Sequence, residues 1–88
     1  MSANLTLASV LDLRAAAPLR AALLERRGEA MAVDASEVER LGGLCLQVLL
    51  AAQQTWAEDG HAFSIGGRSD GFREAIRLLG ACERLDQN

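Results

Sequence analysis

An α/β fold is what this sequence predicts: a mixed, mainly parallel sheet of about four strands, with three or four helices. Three observations carry that expectation. Short apolar runs alternate with longer stretches of helical composition, in the order strand, helix, strand, helix, strand, helix. The helix-forming stretches close on Gly28, Gly60 and Gly80. The run Ala30 to Val33 lacks polar alternation, the pattern of a strand covered on both faces or flanked by other strands. Such an order favours right-handed crossovers and places ligand sites at the carboxyl ends of the strands.

The elements follow in turn. Leu5, Leu7, Val10, Leu11 and Leu13 predict short extended segments, with a bend near Ser9. Residues 15–27, "AAAPLRAALLERR", are dense in good helix formers. Pro18 is tolerated there because a first-turn N–H has no intrahelical acceptor to lose. Leu19, Ala22 and Leu23 form the expected apolar face, with Arg20, Arg26 and Arg27 toward water. After the strand at Ala30–Val33, Asp34 ends the run and Ser36 can bond the turn's backbone. Gly42 and Gly43 open a second helix over about Leu44–Asp59. Its predicted buried face is Leu44, Cys45, Val48, Ala51, Ala52 and Trp56, widened by Leu46, Leu49 and Leu50. Residues 61–65, "HAFSI", read as a strand with Phe63 and Ile65 inward. Ser69 is a good N-cap for a third helix over Asp70–Leu79, which buries Phe72, Ala75, Ile76 and Leu79. The tail "ACERLDQN" offers Leu85 for packing.

Composition narrows the function. Eighty-eight residues, half of them apolar, predict one small domain over residues 1–88. Three aromatic residues, Trp56, Phe63 and Phe72, leave few platforms for stacking bases, and a net charge of −3 disfavours a polyanion, so no nucleic-acid partner is expected. Cys45 and Cys82 have no metal-ligand spacing and read as two buried thiols. The opening "MSANLTLASV" has no basic n-region, and the longest apolar run is short of a membrane span. A cytoplasmic protein without membrane insertion is expected.

Chemistry is sparse. Asp34 and Glu37 could form an acid pair and His61 a base, but no serine elbow, Cys–His pair or metal spacing accompanies them. Asp34 is expected to order its turn instead. Gly42-Gly43 could offer N–H groups to an anion, yet no P-loop lysine follows. "IGGRSDG", residues 65–71, with Arg68 and Ser69, reads as a turn and an N-cap rather than a nucleotide site. No catalytic residue, metal or cofactor is expected. The second helix carries more apolar surface than one side of so small a domain needs, which points to a binding surface at its start.

The segments resemble a STAS domain, the fold of bacterial anti-sigma-factor antagonists. "SVLDLRAAAPLRAALL" is similar to the family's "G-x-LD" and following helix. "VDASEV" is similar to the strand-ending "D-L-S-x-V", and "RLGGLCLQVLLAA" to the "D-S-S-G-L-x-x-L" helix start. "HAFSI" and "SDGFREAIRLLG" are similar to the last strand and helix. The resemblance implies a small β/α superhelix that works by protein contact. In the antagonists the second serine of "D-S-S-G" is phosphorylated. Register on Gly43-Leu44 puts Gly42 at that serine, Leu41 at the serine before it and Arg40 at the aspartate. No phosphorylation is therefore expected at this position, which resembles a docking surface without its switch. The same resemblance implies a partner site at Asp34, Ser36, Arg40, Leu41, Gly42, Gly43 and Leu44, extended by Arg68. Arg40 would offer a bidentate contact to a carboxylate, Leu41 and Leu44 apolar contact. The segment is closest to stand-alone STAS proteins of chemotaxis operons, whose partner is a histidine kinase. The alternatives are an antagonist that binds an anti-sigma protein in partner switching, and the STAS subunit of a phospholipid-transport ABC ATPase. Dimerisation stays open. So does a phospho-switch moved to Ser36 or Ser69.

Overall fold

The computed structural model of the chain describes residues 2–80. In chain order it contains β1 (Ser2–Thr6), β2 (Val10–Leu11), a 3-10 turn (Leu13–Ala15), α1 (Ala16–Leu24), β3 (Ala30–Asp34), β4 (Arg40–Leu41), α2 (Gly43–Glu58), β5 (Phe63–Gly66) and α3 (Asp70–Leu78). The sheet is parallel, in the order β1-β3-β5. A separate parallel pair, β2 with β4, sets Val10 beside Arg40 and Leu11 beside Leu41. The expected sheet of about four strands is thus a sheet of three and a pair of two-residue strands.

Strand alternation decides where the core lies. Successive side chains point to opposite faces. Met31, Val33 and Phe63 are buried on one face, joined by half-buried Ala3, Leu5 and Ile65. Asn4, Thr6, Ala32, Asp34, Ser64 and Gly66 are exposed on the other. β3 is therefore flanked by strands but covered on one face only. Ala32 breaks no alternation, because its small side chain costs little when exposed. The helices supply Leu19 and Leu23 from α1, Leu46, Leu49 and Trp56 from α2, and Phe72 and Ile76 from α3 to the same buried cluster. Each large side chain buried in this way contributes about 1.5–3 kcal/mol before entropy is subtracted. Trp56 anchors the cluster. It is 1% exposed, its Nε1–H donates to the Glu29 carbonyl at 2.7 Å, and its ring meets Phe63 at 5.6 Å between centroids.

Several boundaries shift from expectation for local reasons. Asp12 caps a 3-10 turn by accepting from the Arg14 N–H at 3.1 Å, so Leu13 is not extended but sits in that turn, 75% exposed. α1 stops at Leu24, and residues 25–28 continue as turns to Gly28. Arg27 leaves that turn to grip Asp59 at the end of α2 through two bonds, 2.8 and 3.1 Å. The face of α2 is rotated from the predicted one: Cys45, Leu46, Leu49, Ala52 and Trp56 are buried, whereas Leu44 and Ala51 are exposed and Val48 half-buried. In α3, Phe72 and Ile76 are buried as predicted but Leu79 is 47% exposed. Cys45 is fully buried; Cys82 and Leu85 lie outside the described residues. Among the described residues no helix is long and apolar enough to cross a membrane, and no group of His, Cys, Asp and Glu could hold a metal.

Candidate functional site

The stretch from the last residue of β3 to the first turn of α2, residues 34–44, carries seven of the eight predicted site residues, and backbone bonds pin it on both sides. The Asp34 carbonyl accepts from Leu7 N–H at 2.9 Å, and Ala35 N–H donates to Gly66 at 3.0 Å. Glu39 and Arg40 N–H groups both donate to the Ser9 carbonyl, at 2.7 and 3.1 Å, and Gly42 N–H donates to Leu11 at 2.9 Å. The Ser69 hydroxyl donates to the Val38 carbonyl and accepts from the Phe72 N–H at 3.0 Å, so the cap of α3 also holds this segment. A loop satisfied this fully is a preformed surface.

Within it the predicted residues separate into two places. Asp34 and Ser36 lie at the open face of the sheet, beside Gly66 and Gly67. The Asp34 carboxylate accepts from the Ser36 N–H at 2.9 Å, and bonds from the Ser36 backbone and side chain hold its pKa below the ordinary aspartate value. Gly67, at φ +62°, leaves room for that carboxylate: a Cβ there would stand 2.9 Å from Oδ1. Asp34 thus orders a turn. His61 precedes β5, whereas Asp34 is in register with Gly66 at its far end, so the two cannot act as an acid–base pair.

Arg40 to Gly43 lie elsewhere, along a 390 Å³ groove between the start of α2 and the face of α3, with Leu78 and Leu79 on its far wall. Arg40 is exposed, and its side chain has no ion-pair partner among the described residues. Leu41 is 7% exposed, so its side chain belongs to the core and offers a partner no apolar contact. Leu44 is 46% exposed and lines a separate groove between α1 and α2 rather than this one. Arg68 is half-buried; its Nε donates to the Ile65 carbonyl at 3.0 Å and its guanidinium lies 5.9 Å from the Phe72 ring centroid. Arg68 lines neither the groove nor the sheet-face depression.

Gly42 is the N-cap of α2, in extended conformation (φ −84°, ψ 166°), with no side chain to cap the helix and no acidic residue in the first turn. No N-cap side chain therefore bonds the first N–H groups of this 16-residue helix, the end that carries its partial positive charge. Sequence reasoning missed Val10, Leu78 and Leu79 on this surface. Val10 is in register with Arg40 and 42% exposed. Leu78 lies off the Phe72–Ile76 row and is 70% exposed, a position that the helical period of α3 alone could have flagged.

A family model described as "Mlab, STAS domain" matches residues 1–85. No curated protein and no solved structure matches the chain.

Proposed function

The chain belongs to the STAS domain family, and from that premise we propose that it is a non-catalytic adaptor which docks a protein partner on the turn from Arg40 to Leu44 and the adjoining end of α3. The phosphorylation switch of the antagonists is absent here because Gly42 has no hydroxyl. One observation carries the reading. Of the six large apolar side chains exposed among the described residues, Val10, Leu44, Leu78 and Leu79 border the Arg40–Gly43 turn. Exposed apolar side chains gathered around one polar, preformed turn are the composition of a protein interface. Arg40, without an ion-pair partner among the described residues, supplies a guanidinium for a partner carboxylate, and the start of α2, which has no N-cap side chain, favours a negative charge as well.

The partner in this reading is a histidine kinase of a chemotaxis or signalling pathway, in the cytoplasm. The same surface would serve an anti-sigma-factor antagonist or the STAS subunit of a phospholipid-transport ATPase, and the captured partner separates the three. The test is affinity capture from native lysate with mass spectrometry, using Gly42→Asp and Leu78→Glu as controls. A histidine kinase retained by the parent chain and lost with both controls supports the reading. An anti-sigma protein or transporter ATPase keeps the surface and moves the pathway. Equal capture by folded controls removes the surface.

A further inference from the structure

A second groove lies between α1 and α2. Leu44, Val48 and Ala51 project from α2 at helical spacing, and Leu24 faces them from α1, around a space of 410 Å³. Leu24 and Leu44 are 44% and 46% exposed, so the core does not consume this row. Among the described residues the ionisable ones in the lining are Arg20 and Arg27, with no carboxylate, although the chain as a whole carries −3. Arg27 is committed to Asp59 by two bonds. Arg20 is exposed and has no ion-pair partner among the described residues. The groove therefore combines an apolar floor with one uncommitted positive charge on its rim.

We infer that the α1–α2 groove binds an amphipathic helix of a partner protein, with a row of aliphatic side chains on the floor and a carboxylate on Arg20. Both walls are helices whose backbone groups are internally bonded, so no strand edge is offered for pairing. The floor runs from Leu44 to Thr55, about 16 Å or three helical turns. That length suits anchors at i, i+3 or i+4 and i+7 on a third helix laid between the two. Charge complementarity fixes the sign of the flank: an acidic helix gains at Arg20, a basic one meets repulsion there. This groove shares Leu44 with the Arg40–Leu44 turn, but the rest of its lining on α2, from Gln47 to Trp56, and all of its lining on α1 lie outside that turn.

The test uses the full chain and two labelled helical peptides of about 18 residues. Both carry leucines at i, i+3, i+7 and i+10; one is flanked by glutamates and its twin by lysines. Binding is read by fluorescence anisotropy at low ionic strength. The acidic peptide is expected to bind about tenfold or more tighter than the basic twin. Arg20→Glu, an exposed change, should reverse that preference, and Ala51→Glu should abolish binding of both while thermal melting shows an intact fold. Leu78→Glu, on the other groove, should leave peptide binding unchanged, which separates this groove from the docking turn. Failure of the acidic peptide to bind overturns the inference, as does equal affinity for both peptides in Arg20→Glu and parent chain. A parent chain that sediments as a dimer and becomes a monomer on Ala51→Glu also overturns it, by assigning the groove to a second copy.

Discussion

A Cβ on Gly71 would stand 2.6 Å from the carbonyl oxygen of Glu39 and 2.8 Å from that of Val38. α3 approaches the β3–β4 segment so closely only because residue 71 is glycine. Backbone on both sides leaves no flexible atom to yield. Gly71→Ala should therefore cost about 1–3 kcal/mol, as overpacking does, despite the better helix propensity of alanine. Urea unfolding followed by Trp56 fluorescence measures it. A variant as stable as the parent would mean that α3 can move off the segment at no cost.

Gly42 stands in the backbone conformation that serine, aspartate or asparagine would use to cap α2. A Cβ there meets only the Leu11 carbonyl, at 3.4 Å. Gly42→Ser and Gly42→Asp should fold and hold stability level or raise it by a few tenths of a kcal/mol. Partner capture should fall with Asp, whose carboxylate takes the N–H groups and the charge that the partner meets. Thermal melting beside capture checks both halves. Loss of stability together with binding would move Gly42 from docking to folding.

The order of elements was readable because each has a local cause: Ser69 caps α3, Pro18 sits in the first turn of α1, and β3 is a continuous apolar run. The orientation of α2 was not. Leu44, Cys45, Leu46, Val48, Leu49 and Leu50 leave no polar side in its first two turns, so helical periodicity cannot say which leucines face the sheet. Tertiary packing chose Leu46 and Leu49 and left Leu44 outside. The resemblance places Leu41 on the docking surface, and a two-residue strand has no period to correct it; its inward side follows only from pairing with β2. The period of α3 marks Leu78 as outward, whereas Leu79 falls on the Phe72–Ile76 row, so its exposure at the end of the helix has no local signal.

Two aspartates set an acid limit on stability. Asp34 is held below its ordinary pKa by bonds from Ser36, and Asp59 by its hydrogen bonds from Arg27. A carboxyl with a lowered folded-state pKa stabilises fully above its unfolded value, 3.8, and the contribution is lost as pH falls through the folded value. The urea midpoint should stay flat near neutrality and drop as pH falls below about 4. Asp59→Asn should start lower at pH 7 and lose less on acidification. An Asp59→Asn curve parallel to the parent's would show that the Arg27 pair adds nothing in solution, the outcome that exposed ion pairs often give.

Cys45 should be chemically silent in the folded chain. Its side chain is fully buried, its Sγ–H donates to the Asp12 carbonyl at 3.2 Å, and burial, with the Asp12 charge adding to it, pushes the thiol pKa up. A thiol with a raised pKa holds little thiolate at neutral pH, and thiolate is the reactive form. In a Cys82→Ser background, a water-soluble disulfide reagent should label Cys45 at a rate limited by opening of the domain. That rate should rise with urea in step with the unfolding midpoint read from Trp56. Rapid labelling in native buffer would mean that the first turn of α2 opens locally, detaching Cys45 from Asp12 without global unfolding.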